Sequence, residues 1–446
     1  MIIFEFMGIN KTLLYSVKNN KFFKDSFWAV FGNGLGNGFL LLAGILIARF
    51  LGKELYGEYG VVKTTMFYIA SFATLGLGVT STKYIATLLN SKPIHVKNVI
   101  HDAMTITVIF SSIIAIIIFI IAPFLANLLN EEQLVLALRA LSVVIIFKAI
   151  TTTQIGVLAG FKEFKTIALN SLSSGLLMLV ICVPLTYFWG LKGALLSLLF
   201  SQIFNSIVNY MGIKRKSRSF SFVEKVSYKK ELAYFSFPVA LQESSFAICN
   251  WAAIMLLTKL SSMGEVGLYT ASAQWNSIIT MIPGLLINVI LSYLSSSINN
   301  SIKHKKTLKL MLRINFFTTI IPFVIVYFLA DFIASFYGKS FEGMPSVLRI
   351  LTFSTILEAC ASVYKSELLA LGKTWLLFSV RLFRDMILVI GVYILLTFSN
   401  GVDGAIMYSW AVVVMSALFF LVLLVSYNII CKRNENNNRE EQNTKF

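Results

Sequence analysis

Lys63, Arg139, Lys148, Arg349, Lys365, Arg381 and Arg384 interrupt long apolar stretches of this sequence, as do Glu243, Glu358, Glu367 and Asp385. Ammonium and guanidinium groups hold anions, and carboxylates hold protons or cations. A charge buried at such a position costs about 2.5–3.5 kcal/mol on insertion scales, so it normally faces a cavity or a partner. Lys63, Arg139 and Arg349 fall near the ends of their stretches, where a long side chain reaches the interface. Lys148 lies roughly 20 Å along its stretch at about 1.5 Å per helical residue, where snorkelling serves it less well. Glu358, Ser362 and Lys365 share one helix face by spacings of four and three, and Arg381 and Asp385 have the spacing of an ion pair within one helix. Glu243 lies roughly 15 Å into its stretch and shares a polar face with Asn250. A carboxylate at that depth either pairs with a base or takes up a proton near neutral pH.

Most other chemistries lack their residues. The four cysteines are scattered, so neither a disulfide framework nor a Cys-x-x-Cys site is available. His95, His101 and His304 stand singly. "LGKT" (371–374) resembles the end of a phosphate-binding loop, but Glu367 stands where the first glycine is needed. "GNGLGNG" (32–38) misses the dinucleotide spacing, and two interleaved Gly-x-x-x-Gly faces read better as helix contacts.

The elements that carry these residues are membrane spans. Of 446 residues 57% are apolar and 13% charged, against roughly 45–50% and about 25% in soluble domains. Windows of about 20 apolar residues fall at 26–48, 61–82, 102–126, 134–159, 166–188, 193–212, 233–258, 268–294, 308–331, 344–371, 374–398 and 404–430. The expected fold is an all-α integral membrane protein of about twelve transmembrane helices. These runs are long and continuous, unlike the short alternating strands of a membrane barrel. Glu5 breaks the first apolar run and no small-residue cleavage site precedes the first long span, so a cleaved signal peptide is not expected. Residues 1–25 are expected along the membrane surface, with Met7 a second candidate initiator.

Of 38 lysines and arginines, 26 lie in the terminal segments and even-numbered loops, and five, Arg49, Lys53, Lys192, Lys259 and Lys339, lie in the odd-numbered loops. That bias puts both termini in the cytoplasm. It also explains a net charge of +17 without nucleic acid as a partner. The basic, serine-rich segment 213–232 reads as a cytoplasmic linker, dividing an N-lobe (26–212) from a C-lobe (233–430), with a cytoplasmic tail at 431–446. Gly57 and Tyr59 match Gly267 and Tyr269 at an offset of 210, Gly160 matches Gly372 at 212, and "GLKGA" (190–194) matches "GVDGA" (401–405) at 211. Three matches in nearly one register point to a duplicated six-helix unit. Six is even, so the copies are parallel repeats about an axis along the membrane normal, a pseudo-twofold arrangement.

"ARFLGKELYGEYG" (48–60), after the glycine-rich first span, and "LGLG" (75–78) in the second resemble the polysaccharide-transporter branch of the multidrug/oligosaccharidyl-lipid/polysaccharide superfamily, that is, Wzx-type O-antigen flippases. The resemblance implies a MATE-like, two-lobed transporter in the bacterial inner membrane. Such proteins move undecaprenyl-diphosphate-linked oligosaccharide from the cytoplasmic to the periplasmic leaflet by alternating access, without a cofactor. Membrane lipids surround it, and a polysaccharide polymerase and chain-length proteins are the implied protein partners. Under that resemblance Lys63, Arg139, Lys148, Lys365, Arg381 and Arg384 are candidates for the diphosphate path. Asn33, Asn37 and Gln274 are candidates for the sugar, with interhelical hydrogen bonding as the other use of such amides. Glu243, Glu358 and Asp385 are candidates for coupling to a proton or sodium ion.

In this setting Gly52, Gly57 and Gly60 are expected to permit tight turns, and Tyr56 and Tyr59 to lie at the interface. Arg49 or Lys53 is expected to pair with Glu265 as an outer gate. Pro238 and "PG" (283–284) are expected bending points. A multidrug or cation antiporter of the same fold stays open, although its cavity should be dominated by acids and aromatics. A polysaccharide polymerase or ligase should carry a large periplasmic loop, and no outer loop here exceeds about a dozen residues. The protein is therefore expected to be a transporter and not an enzyme.

Overall fold

The computed structural model describes residues 21–128, 134–220, 226–284 and 301–443, with 286, 287, 290 and 294 in between; side chains are described within 34–430, isolated positions apart. The surface segment expected before residue 21, the Asn33 and Pro238 side chains and the side chains of the tail lie outside the described residues. The described helices are α1 (Lys21–Ala73), α2 (Leu77–Ser91), α3 (Val96–Leu128), α4 (Leu134–Gly160), α5 (Phe164–Ser217), α6 (Lys229–Leu260), α7 (Met263–Ile279), α8 (Ser301–Phe328), α9 (Ala330–Tyr337), α10 (Met344–Ala370), α11 (Thr374–Phe398) and α12 (Gly404–Asn443). No strand occurs among the described residues.

Among the described residues seven helical stretches are long and apolar enough to cross a membrane. Two of them, of 40 and 54 residues, far exceed the roughly 20 residues that one crossing needs. Each is two crossings folded at a glycine. Gly52 (φ 74°, ψ 172°) breaks α1 and Gly190 (φ 54°, ψ −133°) breaks α5, both in a left-handed region that a Cβ disfavours. α6, α7 and α11 carry the remaining spans, diluted by polar side chains. The about twelve spans read from hydropathy are thus present.

The second crossing contains a break that the apolar pattern does not show. Between α1 and α2 the chain leaves helical geometry at Leu75 (φ 50°) and Gly76 (φ 68°). Thr74 Oγ1 donates to the Ser71 carbonyl at 2.8 Å, an oxygen that the break frees because the Leu75 amide turns to Phe72, and Thr80 Oγ1 joins its own amide on the Gly76 carbonyl at 3.1 Å. The far side is stitched to α4 by Thr82 Oγ1, which donates to the Gly156 carbonyl at 2.8 Å. Of the two expected bends, α6 runs unbroken, whereas the helix ahead of Pro283 is interrupted: α7 stops at Ile279, with a turn at Thr280. Pro283 explains that stop, because it has no N–H for the Ile279 carbonyl four residues back.

The chain divides into two compact units, residues 1–271 with 335–342, and 272–334 with 343–446. In the first, α1 packs chiefly on α5, and α4 bridges α2, α3 and α5. A Cβ on Gly36 would fall 2.6 Å from Ser171 Oγ, and one on Gly175 would fall 2.6 Å from the Gly36 carbonyl, so this glycine of the first span is a helix contact as its spacing suggests. Gly38 meets nothing within 4 Å. Linker residues 226–228 are docked on α3: Asn98 Nδ2 donates to the Val226 carbonyl at 2.7 Å, and Asp102 accepts from the Tyr228 amide at 2.7 Å and from Ser227 at 3.1 Å. In the second unit α10 packs on α8 and α12.

The repeat survives at the level of backbone hydrogen bonds, with one change of register. After α4 the amides of Phe161, Lys162 and Glu163 bond to the carbonyls of Val157, Ala159 and Leu158. After α10 those of Leu371, Gly372 and Lys373 bond to Glu367, Leu369 and Leu368. Lys162 (φ 60°) therefore corresponds to Gly372 (φ 72°) at an offset of 210, and Gly160 does not. A left-handed residue closes both caps, and lysine does in one copy what glycine does in the other.

Candidate functional site

The stretch 49–60 makes a contact between helices. Only Gly52 turns the chain; Gly57 and Gly60 are helical and bring α1 onto α7. A Cβ on Gly57 would land on the Met263 carbonyl, one on Gly267 on the Lys53 carbonyl, and one on Gly60 on Thr270. Tyr56 and Tyr59 are not at the interface. They are 0% and 1% exposed, stacked at 5.7 Å, with the Tyr56 ring edge-on to Phe341 at 5.9 Å. Their rings fill the volume that the glycines leave beside the helix crossing. The Lys53 stem lies against Gly264, so that a Cβ there would be 3.1 Å from Cε. Arg49 is exposed and Glu265 half-buried; packing of its stem sets Lys53 against α7.

Along the first unit the basic side chains differ in setting. Lys63 Nζ reaches back 5.9 Å to the Tyr59 ring centroid, one turn nearer the Gly52 end. Arg139 is exposed, its guanidinium 5.1 Å from the Phe119 ring on α3. Lys148 is half-buried, about 21 Å along α4, and its ammonium makes no hydrogen bond or ion pair among the described residues. Polar pairs tie the neighbouring helices: Trp251 Nε1 donates to Thr65 at 3.1 Å, Thr80 and Ser236 hydroxyls meet at 2.7 Å, and Thr107 and Thr153 at 2.8 Å. Asn37 is exposed. Glu243 is half-buried on α6, and Asn250 Nδ2 bonds to the Phe246 carbonyl of its own helix at 2.8 Å.

The second unit gathers charges between α10, α11 and α12. Asp385 is 1% exposed and takes both Nε (2.8 Å) and Nη2 of Arg384 on Oδ1. Arg384, and not Arg381, thus makes this ion pair, and its guanidinium also stacks 4.7 Å from Phe419. Arg381 and Lys365 lie near enough to act on the Asp385 charge. Glu358 accepts from Ser416 at 3.3 Å and feels Arg384. Gln274 is half-buried, while its neighbour Asn276 spans to α10, donating to the Leu351 carbonyl at 3.2 Å. Asn315, which hydropathy hides, is wholly buried and donates to the Ala359 carbonyl and Ser362 Oγ, both at 2.9 Å. His304 and Glu367 meet at 2.6 Å in the core of this unit. Arg349 bonds Asp331 at 2.5 Å.

The described residues offer no group of three His, Cys, Asp or Glu that would hold a metal ion, and Cys182, Cys249 and Cys360 are in no disulfide. What the helices place at membrane depth is a set of basic, acidic and amide side chains.

A bundle of about twelve spans with this helix order has the fold of MATE transporters of the MOP superfamily. A multidrug resistance MATE transporter of that superfamily in its inward-facing conformation superposes with a TM-score of 0.74 at 18% identity, covering 90% of this chain and 96% of that one. MATE in complex with MaL6 gives 0.64 at 18%, covering 91% and 96%. A MOP superfamily transporter from Pyrococcus furiosus, for which a reversed polarity of the binding pocket has suggested a different function, gives 0.63 at 17%, covering 90% and 95%. The profile of the polysaccharide biosynthesis protein family matches residues 22–298, and the chain belongs to that family. No curated protein sequence matches it.

Proposed function

We propose that this multi-pass membrane protein is a flippase for lipid-linked oligosaccharides, the Wzx-type role. It carries undecaprenyl-diphosphate-linked O-antigen or another polysaccharide repeat unit from the cytoplasmic to the periplasmic leaflet of a bacterial inner membrane. Lobes 26–212 and 233–430 alternate access, with both termini cytoplasmic, and a proton or sodium ion drives the cycle. Family membership supports the polysaccharide pathway. The observation that carries the anionic substrate is Lys148, a half-buried ammonium deep in α4 with no ion pair among the described residues. A diphosphate supplies the charge that such a group lacks.

The test is translocation in proteoliposomes holding a polyprenyl-diphosphate-linked oligosaccharide, followed by lectin access from one side. Faster equilibration than in protein-free vesicles is expected. Vesicles that instead export a cationic dye and leave the glycolipid in place overturn the reading in favour of a multidrug antiporter.

A further inference from the structure

Val157 and Glu367 occupy one position of the repeat, since the carbonyl of each accepts the first amide of its cap, from Phe161 and from Leu371. Both are 0% exposed. Val157 packs with Leu77, Val99 and Ile213 in the core of the first unit, so the fold needs only an apolar side chain at this point. The second unit puts a carboxylate there. Its neighbours Tyr364 and Leu368, with Leu308 one turn along from His304, belong to an apolar cluster. His304 is the partner: its Nε2 lies 2.6 Å from Glu367 Oε1, while Glu367 Oε2 is buried with no hydrogen bond among the described residues. His304 is the fourth residue of α8 and Glu367 the fourth from the end of α10. Their contact therefore joins two helix ends about 5 Å inside them, at about 1.5 Å per residue.

Charge decides what the pair holds. With one proton, as imidazolium and carboxylate or as imidazole and carboxylic acid, it is neutral; with none, a bare carboxylate is buried, which is costly. The surrounding groups offer no substitute for that proton. Lys305, Lys306 and Lys309 of α8 and Lys373 ahead of α11 are exposed, and Lys365 of α10 and Arg381 of α11 lie toward Asp385. The rings of Tyr364 on α10 and Tyr427 on α12 lie 5.6 Å apart and are uncharged near neutral pH. α11 and the segment ahead of α8 bring Leu377, Ile290 and Leu294. We infer that His304 and Glu367 bind one proton between them, and that this proton clasps the ends of α8 and α10. Once the ends part and water enters, the imidazole titrates as a free side chain near about pH 6.5, and above that the proton leaves. The packed form then holds one proton more than the parted form, so alkali favours parting by about tenfold per pH unit. The site stands whatever the cargo.

Hydrogen exchange of the full-length protein in nanodiscs, read by mass spectrometry from about pH 6 to about pH 8.5, tests it. After division by the intrinsic rate, exchange of peptides covering 301–308 and 364–373 should rise about tenfold per pH unit above about pH 6.5. The equivalent peptide 154–163 of the first unit, which carries Val157, should stay flat. Glu367→Val with His304→Leu, which gives the second unit the apolar pattern of the first, should remain monodisperse and lose the rise. Should that variant not fold, Glu367→Gln decides: its amide still meets the imidazole but cannot ionise, and the rise must vanish. A flat wild-type profile at 301–308 and 364–373 overturns the inference, as does a rise that survives in either variant or is shared equally by 154–163.

Discussion

Gly57 and Gly267 lie backbone against backbone: the Gly57 amide is 3.3 Å from the Cβ position of Gly267, and the Gly267 amide is 3.1 Å from that of Gly57, while the Lys53 and Met263 carbonyls occupy the Cβ positions themselves. These are the two glycines that the 210-residue repeat pairs. A duplicated element here packs against its own copy, which explains why the motif keeps a glycine in both.

Gly57→Leu should therefore force α1 from α7. Overpacking costs typically about 1–3 kcal/mol, and more where, as here, the obstacle is backbone. The expected outcome is loss of monodisperse protein in detergent, or a lowered melting temperature. Gly38→Ala, which meets nothing within 4 Å, is the control and should behave as wild type.

Glu163 gives a pH dependence. Burial alone raises its carboxyl, but hydrogen bonds from Lys216 (2.6 Å) and Thr166 (2.8 Å), with the charges of Lys216 and Arg215, outweigh that and hold it below the usual value of 4.5. A depressed native pKa contributes stability above the unfolded value and loses it as pH falls through the native one. The pair is partly exposed, so Glu163→Gln should cost only about 0–1 kcal/mol at pH 7. Melting curves of variant and wild type should converge below pH 4.5. A constant difference down to acid pH would show that shape, not charge, holds the turn.

Asp385 and Arg384 form a buried pair that should reveal itself by non-additivity. Asp385→Leu leaves a guanidinium uncompensated, which costs about 3–5 kcal/mol in buried pairs. Adding Arg384→Met should restore most of the thermal stability. If the restored double variant fails to transport, the pair serves coupling or substrate as well as packing; if it transports normally, its role is structural.

The spans were legible because twenty apolar residues have one use in a chain, and the glycine register located the duplicated turns. What was illegible depended on contacts. Tyr56 and Tyr59 look interfacial in composition, but their burial follows from Phe341, nearly 300 residues away. The break at Leu75 lies in "LGLG", whose glycines read equally well as packing residues until Gly156 and Thr152 are seen beside Gly78. Asp102 and Asn98 gave no signal, since linker amides are invisible to periodicity. Nor could spacing choose Arg384 over Arg381 as the partner of Asp385, because adjacent residues meet only when both rotamers bend the same way.

Orientation rests on the distribution of 38 basic residues and has its own test. Reporter fusions after residue 216 should give a cytoplasmic signal and after residue 340 a periplasmic one. The reverse pattern would invert the bundle and the proposed direction of transport.

Lys148 separates transport from architecture. If its ammonium meets the diphosphate, Lys148→Met should abolish translocation and surface polysaccharide while the protein level in the membrane stays near wild type. Removing an unpaired buried charge should raise the melting temperature rather than lower it, since the desolvation cost disappears with the charge. Lys148→Arg should keep part of the activity, because a guanidinium still binds phosphate but on a longer, planar head. A Lys148→Met protein that is stable and fully active would remove this residue from the path. One that vanishes from the membrane would assign it a structural partner outside the described residues.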